Sequence, residues 1–397
     1  MLLSDKTYSY IVQLIYLSFA FDSLLKLDIG IRIHLGILLI FILNLGHFVL
    51  KGWQRKITLL RIDTWLILFT IYILVAGLIK VGTSSLFIFF YFFLALNIYF
   101  FIRKHYDYFE LKIFIRFQWI LIITGLLQFL LYLIFGYQLN FLGVEHYSES
   151  SSVALRLRGF FVEPNWYAIA ITFNTFLLIG RNLPKFVKSR TILFCFTLLV
   201  LLLNGTFGTL IILVGTYGYR YLKKNVLIAT FLLLIGLVVF NAMLSKRAEV
   251  KKGRKGIELF NYYSRTEPLK RVYKYMSSKP LETKLFGEGL GSWGTKAIEN
   301  RLSVLVYNIN PKSRDGSELP VFIFELGIIG TLLFFLDLLV LYFKNGRKEF
   351  HIQGALLLFL ASFLLYPIFK FFMYMVYYFI IRQMILENNK EKTINLE

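Results

Sequence analysis

The chain of 397 residues contains one cysteine, Cys195, and it lies inside an apolar run. No intrachain disulfide is possible, and there is no second thiol to share a metal. Histidine is scarce too. The five (His34, His47, His105, His146, His351) are scattered, and none falls in the longest polar segment. His-Glu-x-x-His, Walker A and Cys-x-x-Cys sequences are all missing, which removes the usual signatures of zinc hydrolases, P-loop enzymes and thiol redox proteins. No tandem repeat and no low-complexity tract occurs. Acidic residues are outnumbered, 23 against 44 Lys and Arg, for a formal net charge of +21. The basic residues sit in the loops between apolar runs. That pattern fits membrane topology and an anionic lipid or substrate, and it argues against nucleic acid as a partner.

Apolar residues dominate, at 57% of the chain with a mean hydropathy of +0.66, against ~45–50% in soluble domains. Phe (42) and Tyr (25) are abundant, as suits bilayer cores and interfaces. The apolar runs repeat along nearly the whole length, so the expectation is an all-α, polytopic membrane protein forming a single integral membrane domain over 1–397. With ~20 apolar residues needed per crossing, spans are expected near 8–26, 33–50, 62–80, 84–102, 113–135, 161–180, 191–204, 207–222, 225–244, 319–342, 352–367 and 369–386. The first segment is longer than a signal-peptide core and no small-residue cleavage site follows it, so it reads as a retained span. The seventh and eighth are split at Asn204-Gly205-Thr206, and Pro367 and Lys370 mark the turn between the last two.

Charge tests this count. With the N-terminus in the cytoplasm, the inner segments hold 22 basic residues, from Lys6 to Lys392, and the short outer loops hold 6: Lys26, Arg32, Lys80, Arg156, Arg158 and Lys370. Merging any two helices would invert every later loop and spoil this positive-inside alternation. About twelve spans with both termini cytoplasmic is the expected topology. One outer segment, 245–318, is far longer than the others, with 16 Lys and Arg against 8 Asp and Glu. Long loops translocate largely regardless of charge. A segment of this length is expected to be an ordered subdomain, broken into short helical pieces by Pro268, Pro280 and Pro311.

Four stretches carry candidate chemistry. In Arg158–Ala170, RGFFVEPNWYAIA, polar residues stand where an apolar run begins, at the mouth of a span. Arg156 and Arg158 are able to grip a diphosphate through charge-assisted hydrogen bonds, and Glu163 to accept a proton. An interfacial Arg-Glu pair anchoring a helix with Pro164 in its first turn is the alternative. In the long loop, Arg265 and Arg271 lie among Tyr262, Tyr263, Tyr273 and Tyr275. They suit phosphate and sugar rings, or equally a basic amphipathic helix on anionic headgroups. Next comes LFGEGLGSW, Leu285–Trp293. Its formal GxGxxG match is rejected because no apolar strand precedes it; its glycines suit a tight turn against the membrane domain, and Trp293 suits an interfacial anchor or a sugar platform. Last is RDGSELPVFIFELGIIG, Arg314–Gly330, where Arg314, Asp315 and Glu318 crowd the start of a span and Glu325 lies within it. An ionisable residue at that depth is a functional candidate, or a capping and pairing group between helices.

The order of RGFFVEPN, an outer loop with LFGEGLGSW, and re-entry through GSELPVFIFELGIIG resembles the O-antigen polymerase and O-antigen ligase superfamily over roughly residues 110–345. The resemblance implies an all-helical, GT-C-like fold and a membrane glycosyltransferase that needs neither a metal nor a nucleotide cofactor. It implies a donor glycan on undecaprenyl diphosphate, transferred at the outer face of a bacterial cytoplasmic membrane, with a chain-length regulator and a flippase of the same pathway as partners. Arg158 and Arg265, with Arg156 and Arg271, would bind the diphosphate; Glu163, Asp315 or Glu318 would orient or deprotonate the attacking hydroxyl; Tyr263 and Trp293 would meet the sugar. The ligase branch carries a histidine before the ELG segment, where this chain reads Asp315-Gly316-Ser317-Glu318. That departure favours a polymerase of O-antigen, capsule or exopolysaccharide over a ligase. Relatives also carry a Ser-Arg pair between the short middle helices, replaced here by Asn204-Gly205-Thr206-Phe207. A flippase for the lipid-linked unit and a scaffold subunit are the competing readings. Transporters often show inverted repeats with helices interrupted at the midplane; no convincing internal repeat is found here, and the polar clusters are expected at the outer face.

Overall fold

A computed structural model describes residues 5–28, 32–51, 63–79, 83–135, 156–180, 183–222, 267–303, 308–310, 314, 316–344, 349–366, 368 and 371–394. They are mostly helical. In chain order come α1 (Asp5–Ser18), β1 (Lys26–Asp28), β2 (Arg32–His34), α2 (Leu35–Lys51), α3 (Thr64–Ile79), α4 (Thr83–His105), α5 (Leu111–Phe135), α6 (Pro164–Ile179) and α7 (Leu183–Ser189). They are followed by α8 (Thr191–Asn204), α9 (Phe207–Leu222), α10 (Glu267–Ser277), α11 (Leu281–Phe286), α12 (Glu318–Lys344), α13 (Phe350–Leu365) and α14 (Phe372–Ile394). Every expected span except 225–244 overlaps a helix; 225–244 lies outside the described residues. Three stretches, Ile88–Tyr108, Leu111–Phe135 and Glu318–Lys344, are long and apolar enough to cross a membrane. Others are short: the 14 residues of α8 rise ~21 Å against a hydrocarbon core of ~30 Å.

The all-α expectation holds apart from one short strand pair. Lys26–Asp28 pairs antiparallel with Arg32–His34, with Lys26 opposite His34, so a small β-hairpin joins α1 to α2. His34 is buried with its ring stacked on Phe19 at 4.8 Å.

The run that begins at Pro164 forms the centre of the bundle. In α6 every residue but Asn165 is buried, and the helix packs on α5, α8, α9, α13 and α14. Its polar side chains find partners inside. Asn174 donates to Phe114 O (2.8 Å) and Gln118 Oε1 (2.7 Å) and accepts from the Tyr16 hydroxyl (3.2 Å). Gln118 donates to Thr175 Oγ1 and Thr197 Oγ1. These bonds tie α1, α5, α6 and α8 together. Packing alone holds helices weakly where the surroundings are also apolar, and such bonds average ~0.6 kcal/mol each.

A second network joins α3, α4, α12 and α14. Arg382 of α14 donates to both carboxylate oxygens of Asp337 in α12 (2.8 Å each) and to Asp63 Oδ1 (3.2 Å). Arg103 of α4 donates to Asp63 Oδ2 (2.8 Å) and to the Tyr99 hydroxyl (2.6 Å). The Tyr378 hydroxyl donates to Asp337. Two guanidinium groups thus neutralise two carboxylates, and the start of α3 meets the end of α4 through them. Arg382 is buried within α14.

The long segment before α12 is ordered where it is described. Pro268 opens α10 and Pro280 precedes α11, while Pro311 lies outside the described residues. Val272 and Met276 of α10 pack with Trp293, Ala297 and Leu302 onto Val321 and Phe324 of α12, a small core separate from the main one. Beyond Phe324, α12 breaks at Gly327 (φ 66°, ψ −166°).

Candidate functional site

Two groups of residues emerge. The first surrounds the start of α6. Glu163 holds extended backbone (φ −116°, ψ 132°) just before Pro164, where proline's missing N–H costs the helix nothing. Arg156 is half-buried and reaches across to the turn between α8 and α9. Its Nε donates to Asn204 O (3.0 Å), and its Nη2 donates to Asn165 Oδ1 (3.0 Å) and Thr206 Oγ1 (2.5 Å). Thr206 in turn donates to Asn165 Oδ1 (3.2 Å). Asn204 donates to Leu157 O and to Pro164 O, and accepts from the Thr206 amide. These contacts hold the guanidinium between two chain segments at one end of the central helix. Arginine is thus brought to the Asn204-Gly205-Thr206 turn, which itself lacks one.

Next to it, the Arg158 and Gly159 amides both donate to Gln128 Oε1 of α5 (2.9 Å each). Arg158 and Glu163 are half-buried beside this anchor. The Trp166 ring lies flat on Phe371, 5.2 Å between centroids, and Lys26 Nζ lies 5.2 Å from the Trp166 ring centroid. Lys26 pairs with Asp22 at 2.7 Å. The hairpin, the first turn of α6 and the start of α14 thus converge on one region.

The second group lies where the loop meets α12. Arg314 is buried. Its Nε donates to Glu318 Oε2 (2.9 Å) and its Nη1 to Glu325 Oε2 (2.6 Å), while Glu325 Oε1 accepts the Trp293 amide (3.1 Å). Burial opposes charge on Arg314, and the two carboxylates outweigh burial, so its pKa is raised. The LFGEG turn docks backbone to backbone beside this cluster: the Glu288 amide donates to Phe324 O (2.7 Å) and the Gly289 amide to Glu325 O (3.2 Å). This is the tight turn that the glycines suggested.

Two sequence-based assignments change. Trp293 has no accessible surface and packs edge-on against Phe324, so its ring has no face open to a sugar. Glu318 is buried and ion-paired with Arg314; its neighbourhood is that of a structural pair, not of a base facing an open cleft. Arg271 pairs with Glu267 (3.2 Å) and donates to Arg301 O (2.9 Å), which closes the loop subdomain on itself. Tyr263, Arg265 and Asp315 lie outside the described residues. Among the described residues, no three His, Cys, Asp or Glu side chains gather to hold a metal ion. The sequence reading missed Asn165, Asn204 and Thr206 as partners of Arg156, and the Asp63–Arg382–Asp337 network. A lone charge inside an apolar run, Asp337, was the available signal for the second. Comparison of the chain with protein-family models and with curated proteins returns no match.

Proposed function

We propose that this chain is a polysaccharide polymerase of a bacterial cytoplasmic membrane. It crosses that membrane about twelve times in a GT-C-like arrangement, with both termini in the cytoplasm. The donor is a growing glycan on undecaprenyl diphosphate, and the acceptor is a sugar hydroxyl of a lipid-linked repeat unit at the outer face. The bond between the anomeric carbon and the diphosphate oxygen breaks, and a bond from that carbon to the acceptor oxygen forms. The hydroxyl proton passes to the Glu163 carboxylate, and the electron pair of the broken bond leaves with the diphosphate. Arg156 and Arg158 meet the charge that grows on the leaving group, the kind of pre-set electrostatic stabilisation that lowers such barriers most. Arg265 and Asp315 remain further candidates for the same two roles, and Tyr263 for the sugar. Holding two bulky lipid-linked substrates together supplies further rate. A chain-length regulator and a flippase of the same pathway are the expected partners.

The observation that supports this reading most is Arg156, held at the head of the central helix by Asn165, Asn204 and Thr206. The three landmarks of the resemblance add to it. The decisive experiment uses purified protein in vesicles with lipid-linked repeat units. Longer lipid-linked glycans, lost in Arg158→Ala at unchanged protein level, support a polymerase. Translocation without elongation means a flippase, and neither activity means a scaffold.

A further inference from the structure

We infer that α11, Leu281–Phe286, is an interfacial anchor seated in the headgroup region of the bilayer, so that the loop's partner is the lipid surface itself. Beyond its break at Gly327, residues 328–344 of α12 rise ~25 Å, most of a hydrocarbon core of ~30 Å. Residues 324–327 lie ~10 Å from its Glu318 end by the same rise, near the boundary of headgroups and acyl chains. The segment directly after α11 is bound at that level. The Glu288 and Gly289 amides bond to Phe324 O and Glu325 O, and Gly287 abuts the Glu325–Gly327 backbone. A little further on, Leu290 O accepts the Ser85 hydroxyl at the start of α4 (2.8 Å). The attachment therefore holds α11 low against the bundle.

The side chains of α11 suit that depth. Leu281 is 69% exposed and Phe286 is 50% exposed, although both are large and apolar. Phe286 lies between residues that touch α12, and Ile328 and Leu332, the next outward-facing residues of α12, are also exposed. The apolar surface of the loop thus continues that of a helix able to cross the membrane. Lys284 offsets Glu282 within α11, and Lys270 and Lys274 on α10 add positive charge, which anionic headgroups attract at ~1 kcal/mol per residue near the surface. The amphipathic helix α10 does not itself lie on lipid by its apolar face, because Pro268, Val272 and Met276 are spent on the loop core. This inference needs only the membrane reading and is independent of the reaction.

Spin labels test it in the full chain. In a Cys195→Ser background, single cysteines at Leu281→Cys and Phe286→Cys are labelled with a nitroxide, with Ser277→Cys and Glu299→Cys as exposed controls. The protein is placed in vesicles of phosphatidylethanolamine and phosphatidylglycerol. At 281 and 286, collision with dissolved oxygen should exceed collision with a water-soluble nickel chelate several-fold, and the controls should show the reverse. Nickel access at 281 and 286 equal to that at 299 overturns the proposal. So does low access to both quenchers, since protein rather than lipid would then cover the helix. Phe286→Trp, quenched by brominated lipid, gives the same reading where a label disturbs the fold: unquenched emission from position 286 also overturns it.

Discussion

Gly287 and Gly327 stand back to back at the junction of loop and bundle. A Cβ built on Gly287 would come closer than 3.0 Å to the backbone of Glu325 and Gly327, and one built on Gly327 equally close to Leu285 and Gly287. Both residues hold positive φ, 79° and 66°. Two stretches 40 positions apart thus require glycine for one reason: the loop backbone enters the break in α12 and takes up its peptide groups.

Gly287→Ala and Gly327→Ala should each destabilise this junction by about 2–6 kcal/mol, adding ~1–3 kcal/mol for extended backbone at positive φ to ~1–3 kcal/mol for overpacking. Limited proteolysis between residues 267 and 303, and thermal unfolding in detergent, will report it. Unchanged protease resistance in both variants would sink the idea that the glycine pair locks the loop.

Arg314 is the ionic counterpart of this lock. Arg314→Met leaves Glu318 and Glu325 buried without the cation they share, which should cost about 3–5 kcal/mol. Glu325→Gln keeps an acceptor for the Trp293 amide and should cost less. If Arg314→Met unfolds no earlier than the parent, the cluster carries no stability.

The Arg382 network should behave as a unit. Breaking it on one side, by Asp337→Leu or Arg382→Leu, leaves a buried charge and should cost about 3–5 kcal/mol. The double variant removes both charges and should cost clearly less than the sum. Simple additivity of the two unfolding shifts would show that Asp337 and Arg382 do not stabilise each other.

How much of this was legible in the sequence depends on range. The helices follow from local apolar runs, and the break between α8 and α9 from Asn204-Gly205-Thr206. The kink in α12 was not legible, because the run Leu319–Leu341 is apolar on both sides of Gly327 and its cause, Gly287, lies far away in the chain. The hairpin was hidden because Lys26, Asp28 and Arg32 read as loop charge. Trp293 shows the same limit. A tryptophan beside glycines suits a surface platform as well as a core, and only the packing of Phe324 against it decides. Arg156 was flagged by its charge, but the three oxygens that hold it come from tertiary structure.

Acid should loosen the loop through Glu288. Its carboxylate accepts from the Tyr275 hydroxyl (3.0 Å) and Lys296 (3.1 Å), with Lys279 at 3.7 Å. Burial pushes its pKa up, but the hydrogen bonds from Lys296 and Tyr275 and the nearby lysine charges outweigh that, and it ends below the ordinary value. A carboxyl depressed on folding stabilises the fold above its unfolded-state pKa, ~4.3 for glutamate, and that stability is lost as pH falls through the folded value. Protease resistance of 267–303 should therefore drop below about pH 4, and Glu288→Gln should remove that component of the drop. An acid profile identical in the variant would mean that Glu288 is not the group responsible.

Arg156 gives the prediction on which the functional reading depends. Its Nε and Nη2 together contact Asn204 O, Asn165 Oδ1 and Thr206 Oγ1. Arg156→Lys keeps the positive charge, but its single nitrogen cannot occupy the positions of two guanidinium nitrogens at once. The charge survives while its position is lost. If Arg156 serves the leaving diphosphate, elongation by the purified protein should fall about 100-fold, as when one pre-set donor is removed from an active site. Asn165→Ala, which removes one of the three oxygens, should lower turnover in the same direction by a smaller factor and leave acceptor KM unchanged. A purely structural Arg156 predicts something else: lower thermal stability in Arg156→Lys with turnover per folded molecule intact. Measuring both quantities on the same preparation separates the two roles.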